Sequence, residues 1–261
     1  VIVDFQNKNL SKKTYLPITY CTKFVDYKIK MMDIKKHIPN FLTLLNLLCG
    51  CIAIVMVADL KFDMAFYFVS LGIFFDFFDG YFARKFNVSG PLGVQLDSLA
   101  DMVTSGVVPG FVMVCMLSLG EYSSYNFLPY LGFIITLGAC YRLANFNIDT
   151  RQSDSFIGLP TPANTLFIVS LPLVSNTIIA PYIHNVWVLL TITALSAFVM
   201  NAEIPLFSLK IKDFSFQKYK LQLGFLLASI VMIITLQFLA VPLIILTYVL
   251  LSVLNTILAK K

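Results

Sequence analysis

The chain has 261 residues, 58% of them hydrophobic and 13% charged, with a formal net charge of +5. Soluble globular domains run nearer roughly 45–50% apolar and about 25% charged, so a soluble globule is excluded and an all-α integral membrane protein is expected. The five cysteines (Cys21, Cys49, Cys51, Cys115, Cys140) are odd in number, and four lie in apolar stretches. None has the paired spacing of a zinc site, which makes them packing residues rather than disulfide partners or metal ligands.

The sequence begins on Val1 rather than Met, as a trimmed or unusual start would leave it. Its first forty residues are polar and lack the apolar core and small-residue cleavage site of a secretory signal. Residues 15–37 scatter lysines among Tyr, Phe, Ile and Met ahead of a break expected at Pro39-Asn40. Two readings stay open for them: an amphipathic helix on an anionic leaflet, or a partly disordered basic leader.

Eight apolar stretches then approach the length needed to cross a hydrocarbon core of about 30 Å. They cover residues 41–58, 64–83, 93–118, 127–147, 163–182, 185–201, 220–238 and 240–258. The fifth and sixth, and the seventh and eighth, are separated so briefly that each pair reads as a tight helical hairpin. Lys and Arg mark the cytoplasmic side. Eight of them precede the first stretch, and Arg84 with Lys85, Arg142 with Arg151, four lysines at 210–220 and two at the C-terminus fall in alternate connections. That is 18 of the 19, with Lys61 on the other side, and it places both termini in the cytoplasm. The expected organisation is a basic juxtamembrane segment at 1–38, a membrane core at 39–205, and a loop with a C-terminal helical hairpin at 206–261. No internal repeat is visible.

The informative stretch is 76–101, which reads DxxDGxxARx8GxxxDxxxD: Asp76, Asp79, Gly80, Ala83, Arg84, Gly93, Asp97 and Asp101. On a helix, residues three and four apart share a face. Asp76, Asp79, Gly80 and Ala83 therefore line one stripe, and Gly93, Asp97, Asp101 and Ser105 line another, with turn-forming Asn87, Ser89, Gly90 and Pro91 between. Folded face to face, the stripes form a four-carboxylate pocket with little bulk at Gly80, Ala83 and Gly93. An acid at a membrane-helix centre costs about 2.5–3.5 kcal/mol on insertion scales, and one arginine cannot neutralise four. Two divalent cations can, with Mg2+ and Mn2+ both suited to oxygen ligands. Paired metals among carboxylates serve phosphoryl chemistry, Arg84 would bind phosphate, and an aspartate at the edge of the site can take a proton from an alcohol.

The eight-position pattern, without a departure at any fixed position, resembles the signature of the CDP-alcohol phosphatidyltransferase family. The resemblance implies a cytoplasm-facing site where Asp76 and Asp97 bridge two metals, Asp79 completes one metal site and Asp101 the other. It also implies that Asp101 is the proton acceptor, that Gly80 and Arg84 contact the CDP group, and that the protein is a homodimer with a six-helix core to which the last two helices are an addition. Flanking segments resemble the branch that uses L-serine: Pro39-Asn40-Phe41-Leu42-Thr43-Leu44-Leu45-Asn46, Leu96-Asp97-Ser98-Leu99-Ala100-Asp101, Tyr141-Arg142-Leu143-Ala144-Asn145-Phe146-Asn147 and Phe156-Ile157-Gly158-Leu159-Pro160-Thr161-Pro162. Asn145 departs from that branch, where Arg is more usual. With these segments the resemblance runs from about residue 35 to about residue 220.

The expected reaction is transfer of the phosphatidyl group from CDP-diacylglycerol to the hydroxyl of L-serine, giving phosphatidylserine and CMP, at the inner membrane of a prokaryote. Thr43, Ala83, Ser89, Gly90 and Gly93 join Gly80 and Arg84 as expected liponucleotide contacts. Arg84, Arg142 and Arg151 are the only arginines. A phosphorylated acceptor would call for a basic cluster, whereas zwitterionic serine needs one cation and a few polar groups, which Arg142, Asn147 and Arg151 could supply. Two alternatives stay open: the same chemistry with glycerol 3-phosphate or inositol as acceptor, and a divalent-cation transporter.

Overall fold

The computed structural model describes residues 18–88, 90–119, 127–149, 158–174, 180–204, 206 and 220–259. The side chains of 18–34, 36, 220–221 and 255–259 lie outside that description, as do Ser89 and Arg151 entirely. Every regular element among the described residues is helical: α1 Ile18–Ala58, α2 Phe62–Phe86, α3 Pro91–Asp101, a π-helical segment Met102–Val107, α4 Val108–Ser118, α5 Ile134–Ile148, α6 Thr161–Ser170, α7 Ala180–Ile183, α8 Val186–Asn201, α9 Lys220–Leu236 and α10 Ala240–Ala259, with short 3-10 turns between some of them.

Among the described residues, four segments are long and apolar enough to cross a membrane: His37–Ala58, Pro91–Ser118, Leu128–Ile148 and Gln222–Leu254. The protein is an integral membrane protein. Its outer surface fits lipid, since Leu227, Ile234 and Leu250 are 64%, 75% and 63% exposed, which in water would make an aggregating patch. The segment Gln222–Leu254 doubles back at Gln237–Leu239, because the rings of Phe225 and Tyr248 lie 5.8 Å apart although 23 positions separate them in sequence. Gln237 takes a left-handed φ of 50° at that corner. The expected C-terminal hairpin is thus present.

Elsewhere the expected boundaries shift for local reasons. Helix α1 runs through Pro39 without ending, so the break expected there is absent. Proline removes its own N–H and crowds the carbonyl one turn back, but the helix carries on through that position, with the Thr43 hydroxyl oxygen 3.1 Å from the Pro39 carbonyl. The stretch expected as one helix at 163–182 instead ends at Ser170, with a 3-10 turn over Pro172–Val174. Pro172 cannot donate to the preceding turn. Helix α8 starts where Asn185 accepts from the backbone N–H of Trp187 and Val188, at 2.9 and 3.3 Å, in the manner of an N-cap.

Tight chain reversals set the helices side by side. After α1, Lys61 N bonds to Met56 O and Leu60 N to Val57 O, both at 2.9 Å, with Leu60 at φ 59°. After α2 the same pair recurs, Val88 N to Ala83 O at 3.0 Å and Asn87 N to Arg84 O at 3.2 Å, with Asn87 at φ 54°. Both are Schellman ends, and Asn is a favoured residue at the left-handed position. Between the helices lies a core of fully buried side chains that includes Val57, Val69, Val112, Met113, Ile135, Ile168 and Leu189. At Gly132 a Cβ would stand 2.6 Å from Val114 N and 3.0 Å from the Met113 carbonyl carbon. Gly132→Ala is therefore expected to lower the midpoint of thermal unfolding in detergent, by an overpacking cost of about 1–3 kcal/mol; an unchanged midpoint would show that this contact yields freely.

Candidate active site

The site forms where the last turns of α2 and the first turns of α3 meet the middle of α1 around residues 39–46. Helical spacing puts Asp76, Asp79, Gly80 and Ala83 on one face of α2, and the Schellman end at Asn87 reverses the chain so that α3 packs on α1 with Asp97 reaching the acids of α2. One carboxylate oxygen from each of Asp76, Asp79 and Asp97 falls within 4.8 Å of the others. Asp101 sits one turn further along α3, buried, with Oδ1 accepting from Asn46 Nδ2 at 3.1 Å. It remains within electrostatic reach of Asp76, Asp79 and Asp97. Thus three of the four acids cluster tightly and the fourth borders them.

Beside the acids is a cleft of about 180 Å3. Helix α1 contributes Pro39, Asn40 and Thr43; α2 contributes Asp79, Gly80, Ala83 and Arg84; the reversal gives Val88 and Gly90, and α3 gives Gly93, Val94 and Asp97. Of the small residues expected here, Gly80, Ala83, Gly90 and Gly93 line the cleft. A Cβ at Gly80 would meet Arg84 Nη1 at 3.7 Å, so the guanidinium folds back over the glycine, and nothing lies within 4 Å of a Cβ at Gly90. Gly90 caps α3 without a side-chain hydrogen bond, and Pro91 follows at the first turn. Gly90, Gly93 and Val94 of this helix start line the cleft, and a helix N-terminus favours anions.

Charge balance in this site is lopsided. Among the described residues the one ion pair within 4.0 Å is Lys61 with Asp59, remote from the acids in sequence and on the surface. Arg84 makes no ion pair with the cluster. Thr43 Oγ1 donates to Asp79 Oδ2 at 2.5 Å, which orients that carboxylate without neutralising it. Carboxylates held this close, all oxygen donors and partly shielded from water, fit a hard divalent cation.

The π-helical segment directly after Asp101 has a sequence cause. Pro109 has no N–H to offer the Ser105 carbonyl and its ring crowds that oxygen. Ser105 O instead accepts Thr165 Oγ1 from α6 at 2.9 Å, and Gly106 O accepts Thr136 Oγ1 from α5 at 2.9 Å. Threonines on two neighbouring helices thereby hold the widened turn that carries Asp101.

The expected acceptor residues lie apart from the cleft lining. Asn147 is exposed at the end of α5 and donates to Ser98 Oγ at 2.8 Å, next to Asp97 on α3. Arg142 is 8% exposed and donates through Nη1 to Met200 O at 2.6 Å. It packs against Gly158, whose φ is 74° and whose Cβ would lie 2.9 Å from Nη1. Arg151 and Ser89 fall outside the described residues. Sequence reasoning missed Asn40 and Asn46 as site residues. Their signal was present: Asn40, Thr43 and Asn46 recur every three positions on an otherwise apolar helix, and a polar stripe at that spacing inside a membrane span marks a face turned to a polar neighbour.

Residues 36–199 match the CDP-alcohol phosphatidyltransferase family. The chain belongs to that family. Among similar proteins of this transferase is the CDP-diacylglycerol–serine O-phosphatidyltransferase of Bacillus subtilis (strain 168), 36% identical over 147 residues, which are 55% of this chain and 79% of the relative. Proteins of the same name from Helicobacter pylori (strain J99) and Methanocaldococcus jannaschii are 35% and 34% identical over 144 and 143 residues. Those alignments cover 53% of the transferase in each case, and 58% and 63% of the two relatives. The matched span contains the whole acidic cluster and the cleft, and it ends before α9 and α10.

Proposed function

We propose that this protein transfers the phosphatidyl group of CDP-diacylglycerol to the hydroxyl of L-serine, releasing CMP and phosphatidylserine. The observation that carries the reading is the tight group of Asp76, Asp79 and Asp97 bordering a cleft that is also lined by Arg84 and by Gly90 and Gly93 at the start of α3. A diphosphate needs cationic and N–H contacts on one side and acids able to hold metal on the other, and this cleft supplies both.

Asp76, Asp79, Asp97 and Asp101 are the residues that would hold two divalent cations, Mg2+ or Mn2+. When bound, these ions neutralise diphosphate charge and polarise the phosphorus under attack. The protein's own groups do the rest. Arg84 and the start of α3 at Gly90 and Gly93 bind phosphate oxygens. Gly80 and Ala83 leave room for the nucleotide, Ser89 is proposed as a further contact to it, and Thr43 keeps Asp79 turned toward the cluster. Asp101 takes the proton from the serine hydroxyl. The oxygen then forms a bond to the diacylglycerol-bearing phosphorus, the bond from that phosphorus to the bridging oxygen breaks, and CMP departs with the electron pair.

On the acceptor side, Arg142, Asn147 and Arg151 are proposed to recognise the amino acid. A buried guanidinium beside α3 suits one carboxylate, and the scarcity of arginine disfavours an acceptor that already carries a phosphate monoester. Arg142→Ala is expected to raise KM for serine by about tenfold or more with little change in KM for the liponucleotide, the loss anticipated for one charge-assisted contact. Equal rises in both, measured in the same steady-state assay, would assign Arg142 to anchoring α5 on α8.

The eight-helix topology with both termini in the cytoplasm, the placement in the inner membrane of a prokaryote and the homodimeric state belong to the same proposal, as does the division at about residues 38 and 205. The deciding experiment incubates purified protein with CDP-diacylglycerol and radiolabelled serine, glycerol 3-phosphate or inositol and measures CMP release and lipid product. Serine alone should yield product. Product with another acceptor would reassign the specificity, and divalent-cation flux in proteoliposomes without CMP release would overturn the enzyme reading altogether.

A further inference from the structure

Asn46 stands out as a buried polar residue with a divided environment. It is fully buried on α1. Its Nδ2 donates to Asp101 Oδ1 at 3.1 Å, while its Oδ1 has no hydrogen-bond partner and faces Gly72 on α2, where a Cβ would stand 2.9 Å from it. Its backbone carbonyl accepts Thr104 Oγ1 at 3.1 Å, from the π-helical segment that follows Asp101. Two glycines make this junction possible. A Cβ at Gly50 would come within 3.0 Å of Thr104 Cα, and one at Gly72 within 3.0 Å of Thr104 Cγ2.

These contacts close a small ring from Asn46 to Asp101, through the widened turn to Thr104, and back to the Asn46 carbonyl. An ionised carboxylate only accepts hydrogen bonds, so the amide must turn its N–H2 toward Asp101. Leaving a buried carbonyl oxygen unpaired is unfavourable, and here the orphan oxygen accompanies a donor fixed on Asp101. With Oδ1 occupied by that donor, Oδ2 is the oxygen left to receive a proton.

We propose that Asn46 is a positioning residue for acceptor activation: its side-chain N–H, held by the contact of α1 with the turn after Asp101, fixes the carboxylate rotamer in which Oδ2 meets the acceptor hydroxyl. The inference rests on Asp101 being the proton acceptor of the proposed transfer. Asn46 touches neither substrate nor metal in this account. It acts through Asp101.

The test replaces Asn46 by Leu, which has the same branched shape without the amide and suits a membrane helix, and by Ala in parallel in case the larger leucine presses on Gly72. Four quantities are measured on purified protein: metal-dependent binding of CDP-diacylglycerol by calorimetry, kcat, KM for serine, and the solvent deuterium isotope effect on kcat. The expected result is liponucleotide affinity and serine KM within about twofold of the parent, kcat lower by about ten- to a hundredfold, and a larger isotope effect as proton transfer becomes limiting. Unchanged kcat in a folded variant overturns the proposal. So does a parallel loss of kcat and liponucleotide affinity in both variants, which would mark a packing role. Failure of the underlying reading is distinguishable, because the parent protein itself would then release no CMP with serine.

Discussion

Asp101→Asn is expected to lower kcat by about a hundred- to ten-thousandfold, the range general-base catalysis contributes, while CDP-diacylglycerol still binds in the presence of metal. The argument is geometric. Asp101 is the member of the quartet outside the closest three, and it is buried beside them with one oxygen bonded to Asn46. An amide of the same shape preserves packing in the widened turn but has no carboxylate oxygen to accept a proton. Single-turnover CMP release measured alongside equilibrium binding separates the two effects. A variant that retains parental turnover would remove Asp101 as the base, and one that loses liponucleotide binding as well would place Asp101 in substrate retention.

The second large effect concerns the acidic cluster in the absence of metal. Two carboxylate charges about 4.8 Å apart repel by about 3 kcal/mol at an effective dielectric constant near 20, and three acids meet within that separation here. Chelation should therefore abolish CMP release, and Mg2+ or Mn2+ should restore it. The sharper expectation is thermal. Asp76→Asn removes one of the three charges, so the metal-free variant should unfold at a higher temperature than the metal-free parent, while the stabilisation gained on adding Mg2+ should shrink or vanish. Binding to the native state raises its apparent stability by mass action, so the increment reports occupancy directly. A full Mg2+ increment in the variant would show that Asp76 is not a ligand, and a lower metal-free midpoint would show that these acids do not repel one another in the folded protein.

Much of the site was legible in one dimension because helices convert spacing into direction. Once α2 and α3 are helical, Asp76, Asp79, Gly80 and Ala83 must share a face, as must Gly93, Asp97 and Asp101, and Asn87 supplies the left-handed residue that reverses the chain between them. The C-terminal hairpin was readable for a related reason, since an apolar run too long for one crossing has to turn. Boundaries were less legible. Pro39 passes through the interior of α1 whereas Pro172 follows the end of α6, and the residue type by itself does not tell the two apart.

Sequence by itself determined the class of protein and the identity of the acids and small residues gathered at one cleft. Helical periodicity and the cost of charge in lipid suffice for those. Tertiary structure alone decided that Asn46 from a distant helix grips Asp101, that threonines of α5 and α6 hold the π-helical turn opened by Pro109, and that Arg142 is spent in part on the Met200 carbonyl. Those partners are separated by 55, 60, 30 and 58 residues, and no local periodicity relates them. Their pairing follows from the close packing of whole helices, where a buried donor takes whichever acceptor the neighbouring backbone brings within reach.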